Sequence, residues 1–273
     1  MISTVPYDNL SLHYNPTHSI SIDPQHLFQK MVANKRGRGG YSMEIAILYN
    51  HMLVGLGFDA YTVGVRTRPR IQGVPEGDFP GWVHIVTFPD GSKYHVDVGF
   101  GGDGATLPLP LIEELAHRNL GTQEIRLVRD WMPTQRKRTE EAKLWIYQYR
   151  NSPESAWNSF YAFAELEFTQ ADFEVINWWT SHNPGFYQAL TMLLIKFLRR
   201  EGENGQQEIC GKLVLVNGLV KENLSARTRL VQECKTEERI EALDKYFGIR
   251  LTEEERLGIR GWATGLPQRE SAV

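Results

Sequence analysis

The residues best suited to covalent chemistry are Ser42, His84 and Asp97. Ser42 sits within Arg38-Gly39-Gly40-Tyr41-Ser42-Met43-Glu44, where a flexible glycine pair delivers the chain into a helix whose first turn carries one hydroxyl. Free N–H groups and the positive dipole end at such a turn stabilise a developing anion. His84 and Asp97 lie on two alternating runs separated by Phe88-Pro89-Asp90-Gly91-Ser92-Lys93. Asp-Gly favours a two-residue hairpin turn. With Asp90-Gly91 as that turn, His84 stands opposite Asp97, with Cβ atoms about 4.5–5.5 Å apart. A four-residue loop keeps this pairing, whereas a three-residue loop shifts it by one. An Asp facing a His on strands of Val, Ile and Phe is costly to desolvate unless the two pair. Paired, the carboxylate fixes the imidazole tautomer and stabilises the imidazolium, and Ser42 completes a nucleophile–base–acid set. The pattern equally suits a structural His–Asp pair beside an ordinary helix-start serine, because triads are defined by geometry and not by spacing. His95, two residues before Asp97 on the same face, is the competing partner for the carboxylate, and the two-residue turn favours His84.

These residues need a helix and a sheet to hold them. Ile45, Leu48, Tyr49, Met52, Leu53 and Leu56 recur at three- and four-residue spacing from Ser42, and Gly57 offers a stop. From about Tyr61 the period changes to two. Strands are predicted over Tyr61–Arg66, Gly81–Phe88, Lys93–Phe100, Glu124–Val128 and Leu144–Tyr149, which implies a small antiparallel sheet or barrel. Asn183-Pro184 predicts a cap leading into a helix from Leu190 to Leu198. Ile209–Val216 and Leu219-Val220 flank Asn217-Gly218, a type I′ hairpin signal. A helix from Thr236 to Gly248 follows, and Thr252-Glu253-Glu254-Glu255 reads as a capping box. Helical, then β, then mixed segments define an α+β chain with three lobes, at 1–57, 58–165 and 166–273.

At 273 residues, with 41% hydrophobic and 23% charged residues, the chain can bury a sizeable core. A net charge of -3 gives no polyanion signature, so nucleic acid is not an expected partner. No apolar run approaches a membrane span of roughly 18 residues, and the first residues lack a signal-peptide pattern. Cys210 and Cys234 are too few and too isolated for a metal site or a disulfide framework. Both suit buried small residues, and a cytoplasmic protein is expected.

Val5-Pro6-Tyr7-Asp8-Asn9-Leu10, the Arg38–Glu44 segment, Trp82-Val83-His84 and Val96-Asp97-Val98-Gly99-Phe100-Gly101 together resemble the arylamine N-acetyltransferases. Cys210-Gly211-Lys212-Leu213 and Phe247-Gly248-Ile249-Arg250-Leu251-Thr252 resemble the fungal branch of that family. The resemblance implies a helical N-terminal lobe, a central antiparallel β-barrel and a C-terminal α/β lid, with a papain-like Cys-His-Asp triad. It implies ping-pong transfer of an acyl group from acyl-coenzyme A, acetyl-CoA in the simplest case, to an arylamine or arylhydrazine, with no permanently bound cofactor. Carried over by position, the nucleophile is Ser42, the base His84 and the orienting acid Asp97. Pro80 and Gly81 fall near the coenzyme, and Val83 and Phe100 near the acceptor.

Two departures stand out: serine replaces cysteine at position 42, and the helical lobe looks shortened ahead of the Val5–Leu10 motif. A serine hydroxyl cannot be preformed as an anion as a thiol can, so it must lose its proton in the transition state. An oxoester is also a poorer donor to an aromatic amine than a thioester. Impaired or altered acetyl transfer is therefore expected. The alternatives are a catalytically dead relative that binds a ligand or partner, or a serine acyltransferase or esterase with other substrates. The glycines of Gly99–Gly104 lack a following Gly-Lys-Ser/Thr, so no phosphate loop is predicted. Arg136-Lys137-Arg138 reads as a solvated loop, and Trp131, Trp178 and Trp179 as core or interlobe packing.

Overall fold

The computed structural model describes residues 1–67, 81–183, 185–202, 205–224 and 227–266. In chain order these contain β1 (Tyr7–Asp8), α1 (Pro24–Phe28), α2 (Ser42–Gly55), β2 (Asp59–Thr67), β3 (Gly81–Thr87) and β4 (Lys93–Val96). They continue with β5 (Leu109–Pro110), β6 (His117–Arg118), β7 (Glu124–Asp130), β8 (Leu144–Arg150), β9 (Asn158–Glu167), α3 (Gln170–His182) and α4 (Tyr187–Leu190). The last elements are β10 (Leu193–Glu201), β11 (Gln207–Val216), β12 (Leu219–Leu224), β13 (Arg227–Glu233), α5 (Thr236–Ala242) and α6 (Glu253–Gly258). The class is α+β, as expected. The chain forms two compact units, Met1–Ile45 with Asn177–Val273, and Ala46–Ile176.

The second unit is built on an eight-stranded antiparallel sheet in the order β5-β4-β3-β2-β9-β8-β7-β6. Its strands curl into a barrel-like sheet, and one face buries Val63, Val65, Val83, Ile85, Tyr147, Tyr161 and Phe163 in a single cluster. Alternation explains the clustering, since residues two apart on a strand share a face. On the other face Leu53 of α2 packs with Val86 and Val96. Met52 and Leu56, read as part of the same helical stripe, are instead exposed.

The first unit holds a five-stranded sheet, β1-β10-β11-β12-β13. Here the helix expected over Leu190–Leu198 is corrected. Pro184 lies outside the described residues, and Leu193–Glu201 is strand β10, paired along nine residues with β11. A short apolar run fits a central strand as well as a buried helix, and flanking pairing decides between them. The Asn217-Gly218 link does join β11 to β12, with Val216 opposite Leu219. Asn217 takes a positive φ of 53°. Gly218 serves a different need: a Cβ there would meet the Cys234 carbonyl oxygen at 2.8 Å. The C-terminal signals also hold. Gly248 stops its helical segment at φ 71°, and the Thr252 side chain accepts from Glu255 N while the Glu255 carboxylate accepts from Thr252 N. Trp178, by contrast, is not core: it is 65% exposed on α3.

Candidate active site

Ser42 is the first residue of α2 and is buried. The segment leading to it is held by charge, not left flexible. Asp8 accepts from the Gly39 amide at 2.7 Å and pairs with Arg38, which also donates to Glu255 at 2.6 Å. Burial alone would raise the Asp8 carboxyl. The cations of Arg38 and Lys30 and the amides of Gly39 and Leu10 outweigh it and hold the group below its usual range. Gly39 is required by close approach, since a Cβ would fall 1.7 Å from the Pro6 carbonyl oxygen. Glu44 reaches back to the Tyr41 amide at 3.0 Å, satisfying a donor ahead of the first turn. It also receives Lys30 Nζ at 2.6 Å. Burial still pushes the Glu44 carboxyl up, with Lys30 opposing.

His84 and Asp97 belong to the second unit, and the register expected for them is corrected. Strand β3 pairs with β4 so that His84 faces Val96 and Ile85 faces His95. Asp97 falls just beyond the end of β4. The cause is the loop. Phe88 N donates to the Ser92 oxygen and Gly91 N to the Phe88 oxygen, with Gly91 at φ 84°. This is a three-residue connection, Pro89-Asp90-Gly91, of the kind that ends in a left-handed glycine. A two-residue turn would have asked Pro89 for a ladder N–H that proline lacks.

The fully buried His84 ring lies between two carbonyl groups. Nε2 is 2.9 Å from the Ala46 oxygen and Nδ1 is 3.4 Å from the Val96 oxygen. A neutral imidazole has one N–H, so it can donate to only one of these acceptors, and the shorter contact is the natural choice. Burial lowers the His84 pKa to about 4, with the two carbonyls opposing, so the ring is neutral at physiological pH. Tyr49 meets the ring edge-on at 5.2 Å.

Asp97 is bound elsewhere. Its carboxylate accepts from the Gly99 and Phe100 amides, each at 3.0 Å, and from the Tyr161 hydroxyl at 3.0 Å. Burial raises its pKa to about 6, with these donors opposing. Neither His84 ring nitrogen takes Asp97 as a partner among the described residues. His95, set aside in the sequence reading, reaches the carboxylate indirectly: its Nε2 is 2.8 Å from the same Tyr161 oxygen. Tyr161 lies on β9, 64 positions along the chain from Asp97 and with no local motif around it, so spacing carries no signal for it.

Of the other expected contacts, Pro80 lies outside the described residues. Gly81 opens β3 opposite Val65. Val83 is fully buried in the inner cluster. Phe100 packs partly buried against that cluster, edge-on to Phe160 with ring centroids 4.6 Å apart. No group of three or more metal-ligating side chains occurs among the described residues.

The fold is thus an α+β chain with a helix that starts at Ser42 and a barrel-like sheet whose β3 carries His84, Asp97 following β4. Known proteins agree with that class. The N-acetyltransferase family model matches residues 1–256. The N-malonyltransferase FDB2 of Fusarium pseudograminearum is 32% identical over 270 residues, covering 93% of this chain and 77% of that protein. The arylamine N-acetyltransferase of Mycobacterium tuberculosis is 30% identical over 201 residues, 70% of this chain and 63% of its own. Among solved structures, the arylamine N-acetyltransferase from Salmonella typhimurium superposes with a TM-score of 0.75 at 23% identity, covering 94% of this chain and 86% of that one. The Mycobacterium marinum arylamine N-acetyltransferase in complex with CoA gives a TM-score of 0.73 at 22% identity, covering 94% and 87%. The chain belongs to the arylamine N-acetyltransferase family of acyltransferases.

Proposed function

We propose that the protein is an acyl-CoA-dependent N-acyltransferase in which Ser42 occupies the nucleophile position and turnover is impaired. The acyl group is passed from acetyl-CoA, or a related acyl-CoA, to an arylamine or arylhydrazine. The observation that carries this reading is that the N-acetyltransferase family model matches residues 1–256, with Ser42 buried at the start of α2. In the acylation step the Ser42 oxygen attacks the thioester carbonyl as His84 takes its proton. The carbon–sulfur bond then breaks and the coenzyme leaves as the thiol, reprotonated through His84. In the second step the amine nitrogen attacks the ester carbonyl, the carbon–oxygen bond to Ser42 breaks, and the proton lost by the amine passes through His84 to the Ser42 oxygen, restoring the hydroxyl. Phe100, partly exposed one turn from Asp97, would meet an aromatic acceptor, with Val83 in the core beneath it. Gly81, at the start of β3, would lie along the coenzyme. Cytoplasmic residence fits the two free thiols, and no described helix is long and apolar enough to cross a membrane.

The bond from Tyr161 to Asp97 favours a second reading, a relative that binds acyl-CoA without turning it over, because the orienting acid does not engage the base. Intact-mass analysis after incubation with acetyl-CoA or malonyl-CoA separates the two. Enzyme predicts an acyl adduct on Ser42; a binder predicts saturable binding without one. Ser42→Cys should acylate and transfer to an arylamine at least about 100-fold faster than the parent, since a thiol ionises readily at a helix N-terminus. A folded Ser42→Cys protein that forms no adduct would remove position 42 from the chemistry.

A further inference from the structure

Inside the second unit, His95, Tyr161 and Asp97 form a continuous buried chain: imidazole to phenol at 2.8 Å and phenol to carboxylate at 3.0 Å. We propose that His95 is a positioning residue, which fixes the direction of the Tyr161 O–H bond and thereby holds Asp97 on Tyr161. The inference deepens the reading above and rests on Asp97 being the site's acid.

The direction follows from proton counting. Tyr161 has one hydroxyl proton and two neighbours. If His95 carries its proton on Nε2, it donates to the phenol oxygen, and the phenol proton is free for Asp97. If the proton sits on Nδ1, Nε2 becomes an acceptor that competes with Asp97 for the phenol proton. The surroundings choose between them. His95 Nδ1 is buried and makes no hydrogen bond of ordinary geometry among the described residues, the backbone of His95 itself offering it only a weak acceptor. An orphaned N–H there would cost more than an orphaned lone pair, so the Nε2–H form is selected. The ring is neutral, because burial lowers its pKa to about 3. Apart from the Asp97 carboxylate, which lies beyond the Tyr161 hydroxyl, the groups packed around it add no anion. Tyr147 and Phe163 stack on it at 6.2 and 5.2 Å between ring centroids, Tyr147 donates its own proton to the Asp103 oxygen, and His84 is neutral. A donor into the phenol oxygen polarises the outgoing O–H, so the Tyr161–Asp97 bond is strengthened by His95.

The test needs no turnover, so it stands or falls apart from the acyl-transfer reading. In the full-length wild-type protein, 15N shifts of selectively labelled histidine report the tautomer. His95 protonated on Nε2 is expected; protonation on Nδ1 overturns the proposal, and this measurement requires no variant to fold. The second readout is the Asp97 carboxyl titration by 13C NMR. Tyr161→Phe should raise the Asp97 pKa, His95→Leu should raise it by a smaller amount, about half a unit, and His95→Gln, which places an amide N–H near the Nε2 position, should restore it. In the Tyr161→Phe background, His95→Leu should add nothing. An unchanged titration in folded His95→Leu, or an equal shift with Tyr161 absent, would show that His95 acts as packing alone.

Discussion

Acid should unfold this protein earlier than its charge balance suggests, and the cause is a set of buried neutral histidines. His13 and His84 have pKa values lowered to about 4, and His95 to about 3, in each case mainly by burial. In the unfolded chain each returns to about 6.5. A depressed folded pKa means that the unfolded state binds the proton first. The stability is therefore intact above about pH 6.5 and is lost as pH falls toward the folded value. Between about pH 7 and pH 5 each histidine costs a little under 2 kcal/mol, or about 5–6 kcal/mol for the three. Asp97 has the opposite sign. Its folded pKa of about 6 lies above its unfolded value, so it penalises the fold at neutral pH and returns about 1 kcal/mol over the same interval. The net loss is about 4 kcal/mol, a large share of the roughly 5–15 kcal/mol typical of a folded protein. Urea titrations at the two pH values measure it, and calorimetry in buffers of different ionisation enthalpy should report a net uptake of about two protons on unfolding near pH 5.5. A stability difference under about 1 kcal/mol at unchanged m-value, or net proton release, would refute the reasoning.

Three substitutions near Ser42 test the frame that carries it. Gly39→Ala should destabilise by at least about 3 kcal/mol in thermal melts, because the new Cβ meets backbone that cannot swing away. Gly55→Ala, where a Cβ meets nothing within 4 Å, is the matched control and should be neutral or stabilising by up to about 1 kcal/mol. Arg38→Met strips Asp8 and Glu255 of a partner at once and should cost about 3–5 kcal/mol at neutral pH. Part of that loss should return on acidification as Asp8 protonates; a loss independent of pH would mean that packing, not charge, was removed.

The Ser42 helix, the barrel-like sheet and the C-terminal caps were legible because each rests on local signals: period, a capping box, a glycine stop. The errors arose where local signals tie. Leu193–Leu198 is largely apolar on both faces, and pairing with β11 along its length, and with β1 at its start, makes it a strand. The hairpin at Asp90-Gly91 carried two competing signals, Asp-Gly for a two-residue turn and Pro89 against it. Pro89 won because a ladder position needs an N–H. That one-residue difference moved Asp97 off the strand and away from the position opposite His84. Tyr161 was invisible for another reason, since a contact across the barrel interior leaves no trace in spacing.

The buried groups also bear on how the proposed site would work. Asp97, at about 6, is more basic than His84, at about 4, which inverts the usual order of a carboxylate and an imidazole. The inversion has one cause, burial, which penalises the charged form of each group and so pushes the two in opposite directions. A serine mechanism needs His84 to become cationic transiently, and in this environment that charge is tolerable only beside an anion. Near neutral pH Asp97 supplies the anion, but its charge is already engaged by Tyr161, Gly99 and Phe100. Turning toward His84 would exchange the Tyr161 hydroxyl for an imidazolium N–H, a stronger donor to a carboxylate. The exchange becomes favourable only once His84 is charged, so reorganisation must accompany proton transfer instead of preceding it. A thiol eases that demand, because its lower pKa lets the ion pair form before substrate arrives. Tyr161→Phe should ease it as well, by releasing Asp97 in advance. In the Ser42→Cys background this variant should therefore acylate at least as fast as Ser42→Cys alone at alkaline pH, above the raised pKa that Asp97 has once Tyr161 is gone. A clear slowing in stopped-flow acylation, with the fold intact, would show that Tyr161 assists the acid instead of withholding it.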